Sequence, residues 1–288
     1  MLREIRDLGF EYAELSHGIR ISLVPGVLEA VRADEIKIST LHNFCPLPIG
    51  VNHAAPNLYK FSSSDRRERE SALKHSRKTI EMAEMVGARL IVLHSGQVNM
   101  REYQDKLETM VAEGKRDTPK YRKLVEEMES KREKNKDDAV NLALDMIHEL
   151  AGNAAERGLL LGIENREAVE EIPVDHEISA FLDELPDNVR YWHDCGHAQI
   201  KQNLGLIDHR MHFEGLAPRL AGLHVHDVIA GSHGQQDHVP PGMGTIDYRS
   251  IQPWIRPEHI KVIELSPGVP SDDVVRGYEF IRSVWGPE

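Results

Sequence analysis

A parallel (β/α) barrel is the fold this sequence predicts, and three observations carry the prediction. Short runs rich in Leu, Ile and Val recur along the 288 residues, each closed by a turn signal, so they read as buried parallel strands. Helical stretches separate most of them, which argues for right-handed βα units. Four runs also end on or beside a metal-ligating side chain. Glu164 closes LLLGIEN, Asp194 closes VRYWHDCGH, His224 sits in LAGLHVHD and Glu264 closes IKVIELSPG. In a parallel barrel the C-terminal strand ends converge on one face, whereas a doubly wound open sheet gathers ligands at one switch point. Two Glu, one Asp and one His converging there make a cage for a divalent cation.

The elements follow in order. Residues 2–8 form a helix-like opening before Gly9, and strand-like runs occur at about 12–15, 36–42, 89–94, 159–164, 189–194, 220–226 and 260–264. Between 65 and 86, Ala72, Leu73, Ser76, Ile80 and Ala83 share one helix face, with Gly87 as C-cap. From about 121 to 157, Val140, Leu144, Ile147, Ala151 and Ala154 form an apolar stripe that Gly158 stops. Ser271-Asp272-Asp273 caps a last helix through 284. Seven strands leave the count one short of eight: either a first strand precedes Met1 or the barrel closes with seven. The stretch from about 99 to 138 is a charged insertion. Its mixed signs at helical spacing predict a solvated helical arm, with Pro119 as a break or start, in preference to a lid or partner-binding element.

Composition narrows the function classes. The length suits a single domain over residues 1–288. A formal charge of −12 argues against a broad nucleic-acid footprint. Cys45 and Cys195 are the only cysteines, which points to a reduced, cytoplasmic setting, and no apolar stretch approaches membrane-spanning length. There is no Gly-rich loop opening a helix, so no nucleotide cofactor is expected.

The pieces IVLHSG, GIEN, HDCGHA, LHVHDV, HVPPGMGTIDY and VIELS, in this order, resemble the xylose isomerase-like barrel superfamily of sugar isomerases, ketose 3-epimerases, inosose dehydratases and apurinic-site endonucleases. The resemblance implies that Glu164, Asp194, His224 and Glu264 bind a catalytic metal. It matches the further imidazoles of that superfamily to His42, His94, His197 and His238, each of which either ligates or lines the mouth. Where that superfamily ends its loop Gly-Glu-Gly, this chain has Gly242-Met243-Gly244.

The chemistry implied is isomerisation or epimerisation of a small sugar, sugar acid or cyclitol through a metal-stabilised enediolate, with Glu164 and Glu264 as paired acid and base. His197 serves a substrate oxygen or a second metal position. Arg166 is a substrate-binding candidate, or else it braces Glu167 or Glu170. Trp192 and Trp254 offer faces for a sugar ring, or pack in the core. Manganese, magnesium or cobalt suits a mononuclear site, and zinc a multinuclear one. The alternative is a multinuclear zinc phosphodiester hydrolase of the apurinic-site endonuclease type, with Asp237 near the enlarged ligand set. The charge ranks it second.

Strand alternation turns His226 and His193 away from the ligands. His17, His53, His75, His148, His176, His209, His212, His233 and His259 read as surface or loop residues, with His17 near enough to Glu14 to reach the mouth. An uncovered barrel seam and the habits of the superfamily point to a homo-oligomer.

Overall fold

Each of the seven apolar runs is a strand, ending where β-branched and aliphatic residues give way to polar ones. The computed structural model describes residues 1–231 and 234–286, in two compact units. The first unit takes Met1–Gln97, Asp138–Glu164 and Ala180–Arg190. It contains α1 (Leu2–Asp7), β1 (Tyr12–Leu15), α2 (Val24–Arg32), β2 (Lys37–His42), α3 (Arg66–Val86), β3 (Leu90–Leu93) and β4 (Leu160–Glu164). The strands pair in parallel, β1 to β2 to β3 to β4. All four residues of β3 are buried, as expected of a parallel strand covered on both faces. Helix α3 packs on β2 and β3 through the expected face, extended by Thr79, Met82 and Val86. Asp65 caps it by accepting from Arg67 N at 2.9 Å, and Gly87, at φ 70°, supplies the left-handed turn that ends it.

The second unit takes Val98–Asp137, Asn165–Ser179 and Tyr191–Glu288. Helix α4 (Gln104–Ala112) lies in it, and α5 (Pro119–Ala155), α6 (Ile178–Asp183) and β5 (Val189–Asp194) each have one end in it. Then come α7 (Cys195–Leu204), α8 (His209–Leu216), β6 (Leu220–Val225), β7 (Asp227–Gly231), β8 (Gly234–Val239), α9 (Tyr248–Ile251), β9 (Ile260–Ile263) and α10 (Ser271–Trp285). Strands β5, β6 and β9 pair in parallel in that order. Strands β7 and β8 form a separate antiparallel hairpin that the sequence reading missed, because GQQDHV carries no apolar alternation. His233 lies outside the described residues.

Two expectations change. The charged insertion is helical and Pro119 does start a helix, but it is not a freely solvated arm. Tyr103, Leu107, Met110, Tyr121, Leu124 and Met128 are buried, and α4 packs on β8 and α7. Apolar residues three or four apart were hidden among the charges. Helix α10 begins one residue after Pro270, which is its N-cap, and no side chain caps it; Asp272 and Asp273 sit in its first turn, where the helix dipole favours them. Among the described residues, no helix is long and apolar enough to cross a membrane. Both cysteines are free and buried, and burial pushes Cys45 up to about 12 and Cys195 well above its usual range, against any nucleophilic role.

Candidate metal centre

In the second unit Asp194, His224 and Glu264 offer ligand atoms within 4.8 Å of one another. Parallel pairing sets this up. Asp194 is the last residue of β5 and lies opposite His224 on β6, while Glu264 follows the last residue of β9. His224 Nδ1 lies 2.9 Å from Glu264 Oε2 and 3.7 Å from Asp194 Oδ2. Asp194 and His224 are fully buried, and Glu264 is half-buried. Burial is the largest influence on Asp194 and would raise it. The imidazoles of His197, His226 and His224 outweigh that and hold it well below the usual carboxylate range, so it stays ionised. Oxygen donors with one imidazole nitrogen, and no thiolate, suit a hard or borderline divalent ion. The donor set fits such an ion.

Hydrogen bonds fix which nitrogen of each neighbouring imidazole carries its proton. His197 Nδ1 faces the Asn165 carbonyl at 3.0 Å, an acceptor only, so the proton sits there and Nε2 presents a lone pair. Nε2 lies 4.0 Å from Asp237 Oδ2, and Glu167, His197 and Asp237 form a second group within ligand range. His226 is the reverse case: its Nδ1 accepts the His238 backbone N–H at 2.9 Å, so Nε2–H donates to Asp194 Oδ2 at 3.0 Å. The expectation that His226 turns away does not hold. Strand β6 ends at Val225, and alternation no longer applies one residue beyond it. His226 stacks on His238 at 4.1 Å. Gly196 makes room for this ring, since a Cβ there would lie 2.1 Å from His226 Cε1.

His238 reaches Asp237 Oδ1 at 3.0 Å and comes within 3.7 Å of Glu264. Burial opposes its charge, but Asp237 and Glu264 prevail and raise it to about 11. Glu167 moves the other way for a carboxyl: burial, then the charges of Asp237 and Glu108, push it up to about 7. The loop after the hairpin is pinned by Asp227, which the sequence reading passed over. This buried carboxylate accepts from Val228 N, Ile246 N and Gly242 N at 2.9–3.0 Å, and a Cβ on Gly244 would strike it at 2.3 Å.

The first unit carries its own group. His42, His94 and Glu164, at the ends of β2, β3 and β4, lie within ligand range of one another, all buried. His94 Nε2 is 2.9 Å from Glu164 Oε2. Both imidazoles hold Nδ1 against an oxygen, His42 at the Asn43 carbonyl (2.9 Å) and His94 at Asn57 Oδ1 (2.7 Å), which turns Nε2 toward the cluster. His17 packs edge-on to His42 at 4.7 Å, as the sequence allowed.

Arg166 is buried and bonds Glu171 at 3.0 Å, and its charge also acts on Glu167. Trp192 is 0% exposed and packs edge-on to His224 at 5.1 Å, so the face expected to meet a sugar is covered. His193 does turn away from the ligands, bonding Tyr191 and His209. His209, His212 and His259 are not surface residues: His209 and His259 are buried, and the His212 side chain is only 7% exposed. The packing of α8 on α7 encloses His209 and His212.

Parallel βα units with carboxylates and imidazoles gathered at the strand ends are the arrangement of (β/α) barrels, whose active sites sit at that face. The chain belongs to the family described as xylose isomerase-like TIM barrel, whose family model matches residues 2–283. Among solved structures it is similar to a D-tagatose 3-epimerase-like protein (14% identity, 98% of this chain and 90% of that one, TM-score 0.68). It is also similar to 3-keto-D-glucoside 4-epimerase from E. coli (15%, 98% and 92%, 0.66). A third is a xylose isomerase-like TIM barrel protein from Mycobacterium smegmatis in complex with magnesium (16%, 99% and 87%, 0.64). At these identities the likeness is one of fold. Among curated proteins no sequence matches significantly.

Proposed function

We propose that the chain is a divalent-metal-dependent isomerase or epimerase of a small sugar, sugar acid or cyclitol, acting as one domain. The observation that carries the reading is the convergence of Asp194, His224 and Glu264 at three strand ends of the second unit. Glu164, at the end of β4, is the proposed fourth ligand. The sugar epimerases among the structural neighbours, and the magnesium complex of one neighbour, support the substrate class and the kind of ion.

A manganese, magnesium or cobalt ion held there would polarise a carbonyl and its neighbouring hydroxyl, lowering the cost of the enediolate. The chain's own residues supply the proton movement. Glu164 and Glu264, one on each face of the sugar, remove and return the proton: at the same carbon from opposite faces for epimerisation, at the neighbouring carbon for isomerisation. His197, its proton fixed on Nδ1 by Asn165, offers Nε2 to a substrate hydroxyl. Arg166, bonded to Glu171 through Nε at 3.0 Å, binds a substrate oxygen with its remaining N–H groups.

A second reading is favoured by one observation: two further ligand groups, His42–His94–Glu164 and Glu167–His197–Asp237, would accommodate more than one ion. A multinuclear zinc site of that kind suits phosphodiester hydrolysis, against which stands the net charge of −12. Elemental analysis of protein purified without chelator separates the two. About one manganese, magnesium or cobalt per chain, with turnover on a ketose and cyclitol panel, is the expected result. Two or three zinc ions per chain would put the hydrolase first, and failure to take up any ion after reloading would sink both.

A further inference from the structure

We infer that Tyr191 and Asn165 are positioning residues: a buried, one-directional chain of hydrogen bonds converges on Asn165 and sets the orientation of Asp194 and His197. All of its members belong to the second unit. The inference rests on the metal reading only for what the chain serves, not for its existence.

Asn165 is the hub. Its Oδ1 accepts from Asp194 N at 2.7 Å and its Nδ2 donates to the Asp194 carbonyl at 3.0 Å. A backbone N–H can only donate and a carbonyl can only accept, so the amide has one permitted orientation. The Asn165 backbone completes the grip, its N–H reaching the Trp192 carbonyl at 3.3 Å and its carbonyl taking the His197 Nδ1 proton at 3.0 Å. One residue thus holds the backbone of Asp194 and the tautomer of His197.

The orientation of Asn165 then dictates every proton behind it. Tyr191 OH lies 3.1 Å from Asn165 Oδ1, which accepts only, so the phenol spends its single proton there. His193 Nδ1, at 2.7 Å, and His212 Nε2, at 3.0 Å, must therefore both donate to the Tyr191 oxygen. With its proton on Nδ1, His193 presents a bare Nε2, and His209 donates to it from Nε2 at 3.0 Å in preference to the longer contact of its Nδ1 with Gln199 Oε1 at 3.4 Å. The sequence His209 to His193 to Tyr191 to Asn165 runs one way, with His212 joining at Tyr191. The same His212 Nε2 lies 3.8 Å from Asp175 Oδ1, beyond hydrogen-bond reach, and Asp175 is paired at 2.7 Å with Lys201 inside the fold. Tyr191, His193, His209, Asp175 and Lys201 are all buried, so water does not offer substitute partners that would scramble the order.

The test is long-range ¹⁵N–¹H correlation of the histidine side chains in the full-length, metal-free protein, followed by Mn²⁺ titration of the wild type and Tyr191→Phe. The expected spectrum has the proton of His193 on Nδ1 and those of His209 and His212 on Nε2. The expected titration shows Mn²⁺ affinity about ten-fold weaker in Y191F, the usual scale for partners that orient metal ligands. A His193 proton on Nε2, or a folded Y191F that binds Mn²⁺ as tightly as the wild type, overturns the inference. If Y191F does not fold, the wild-type spectrum decides. If the wild type takes up no Mn²⁺, the metal reading falls, and the same spectrum still upholds or overturns the proton order.

Discussion

Replacing Gly196 by alanine pits two effects of opposite sign against each other. Gly196 lies in α7, where Ala is favoured over Gly by about 1 kcal/mol on helix propensity alone. The added methyl, however, would sit 2.1 Å from His226 Cε1 and 2.5 Å from Nδ1, inside van der Waals contact. The ring has no simple escape, being 0% exposed and stacked on His238 at 4.1 Å. Moving it sacrifices the 3.0 Å bond to the ionised Asp194 and the bond from His238 N. Overpacking costs about 1–3 kcal/mol and a hydrogen bond to a charged group about 1.5–3 kcal/mol. The net expectation is a loss of about 1.5–5 kcal/mol after the helix gain is deducted. Thermal and urea unfolding of G196A and wild type, both metal-free, measure this directly. A G196A protein as stable as the wild type would refute the reasoning, because helix propensity would then outweigh the contact.

Two further perturbations read other parts of the second unit. Asp227→Asn turns one of two accepting oxygens into a donor facing a backbone N–H; a loss of about 1–3 kcal/mol is expected, with faster proteolytic cleavage in 240–246, and unchanged cleavage there would tell against the pinning role of Asp227. Glu167, raised to about 7, keeps its proton in the folded state over a range where the unfolded chain has lost it. Stability therefore falls as pH rises from about 4.5 to 7 and levels off above, since the native state binds more protons in that window. Glu167→Gln removes this slope, so its advantage over the wild type in urea midpoint grows between pH 5 and pH 8; parallel curves would show that Glu167 titrates normally.

Much of this was legible because parallel strands announce themselves. The runs ending at Glu164, Asp194 and Glu264 are short segments rich in apolar residues with a carboxylate at the C-terminal end, a pattern that marks both the strand and its functional end. What escaped was set by contacts between residues distant in sequence. His226 is read as outward-facing by alternation, and only the end of β6 at Val225 frees it to bond Asp194. Asp227, adjacent to it, is an ordinary carboxylate until the 240–246 loop folds back onto it. The insertion reads by its charges, while Leu107, Met110, Tyr121, Leu124 and Met128, which decide where it packs, are few and set three or four apart among them. Tyr191 and His193 look like strand filler, and their polar roles depend on α8 bringing His209 and His212 alongside.

The bond from the His238 backbone to His226 bears on stoichiometry. A nitrogen that carries a proton has no lone pair to give a cation, and the His238 amide keeps the proton of His226 on the nitrogen that faces Asp194. His226, His238 and Glu264 are close enough to look like a cation site, yet that amide withholds one of the three donors. Because the amide belongs to β8, the register of a short hairpin sets how many donors this group can offer a cation. The capacity of such a cluster is thus a property of main-chain path as much as of ligand inventory, and a shift of one residue between β7 and β8 would free that lone pair without changing a single side chain.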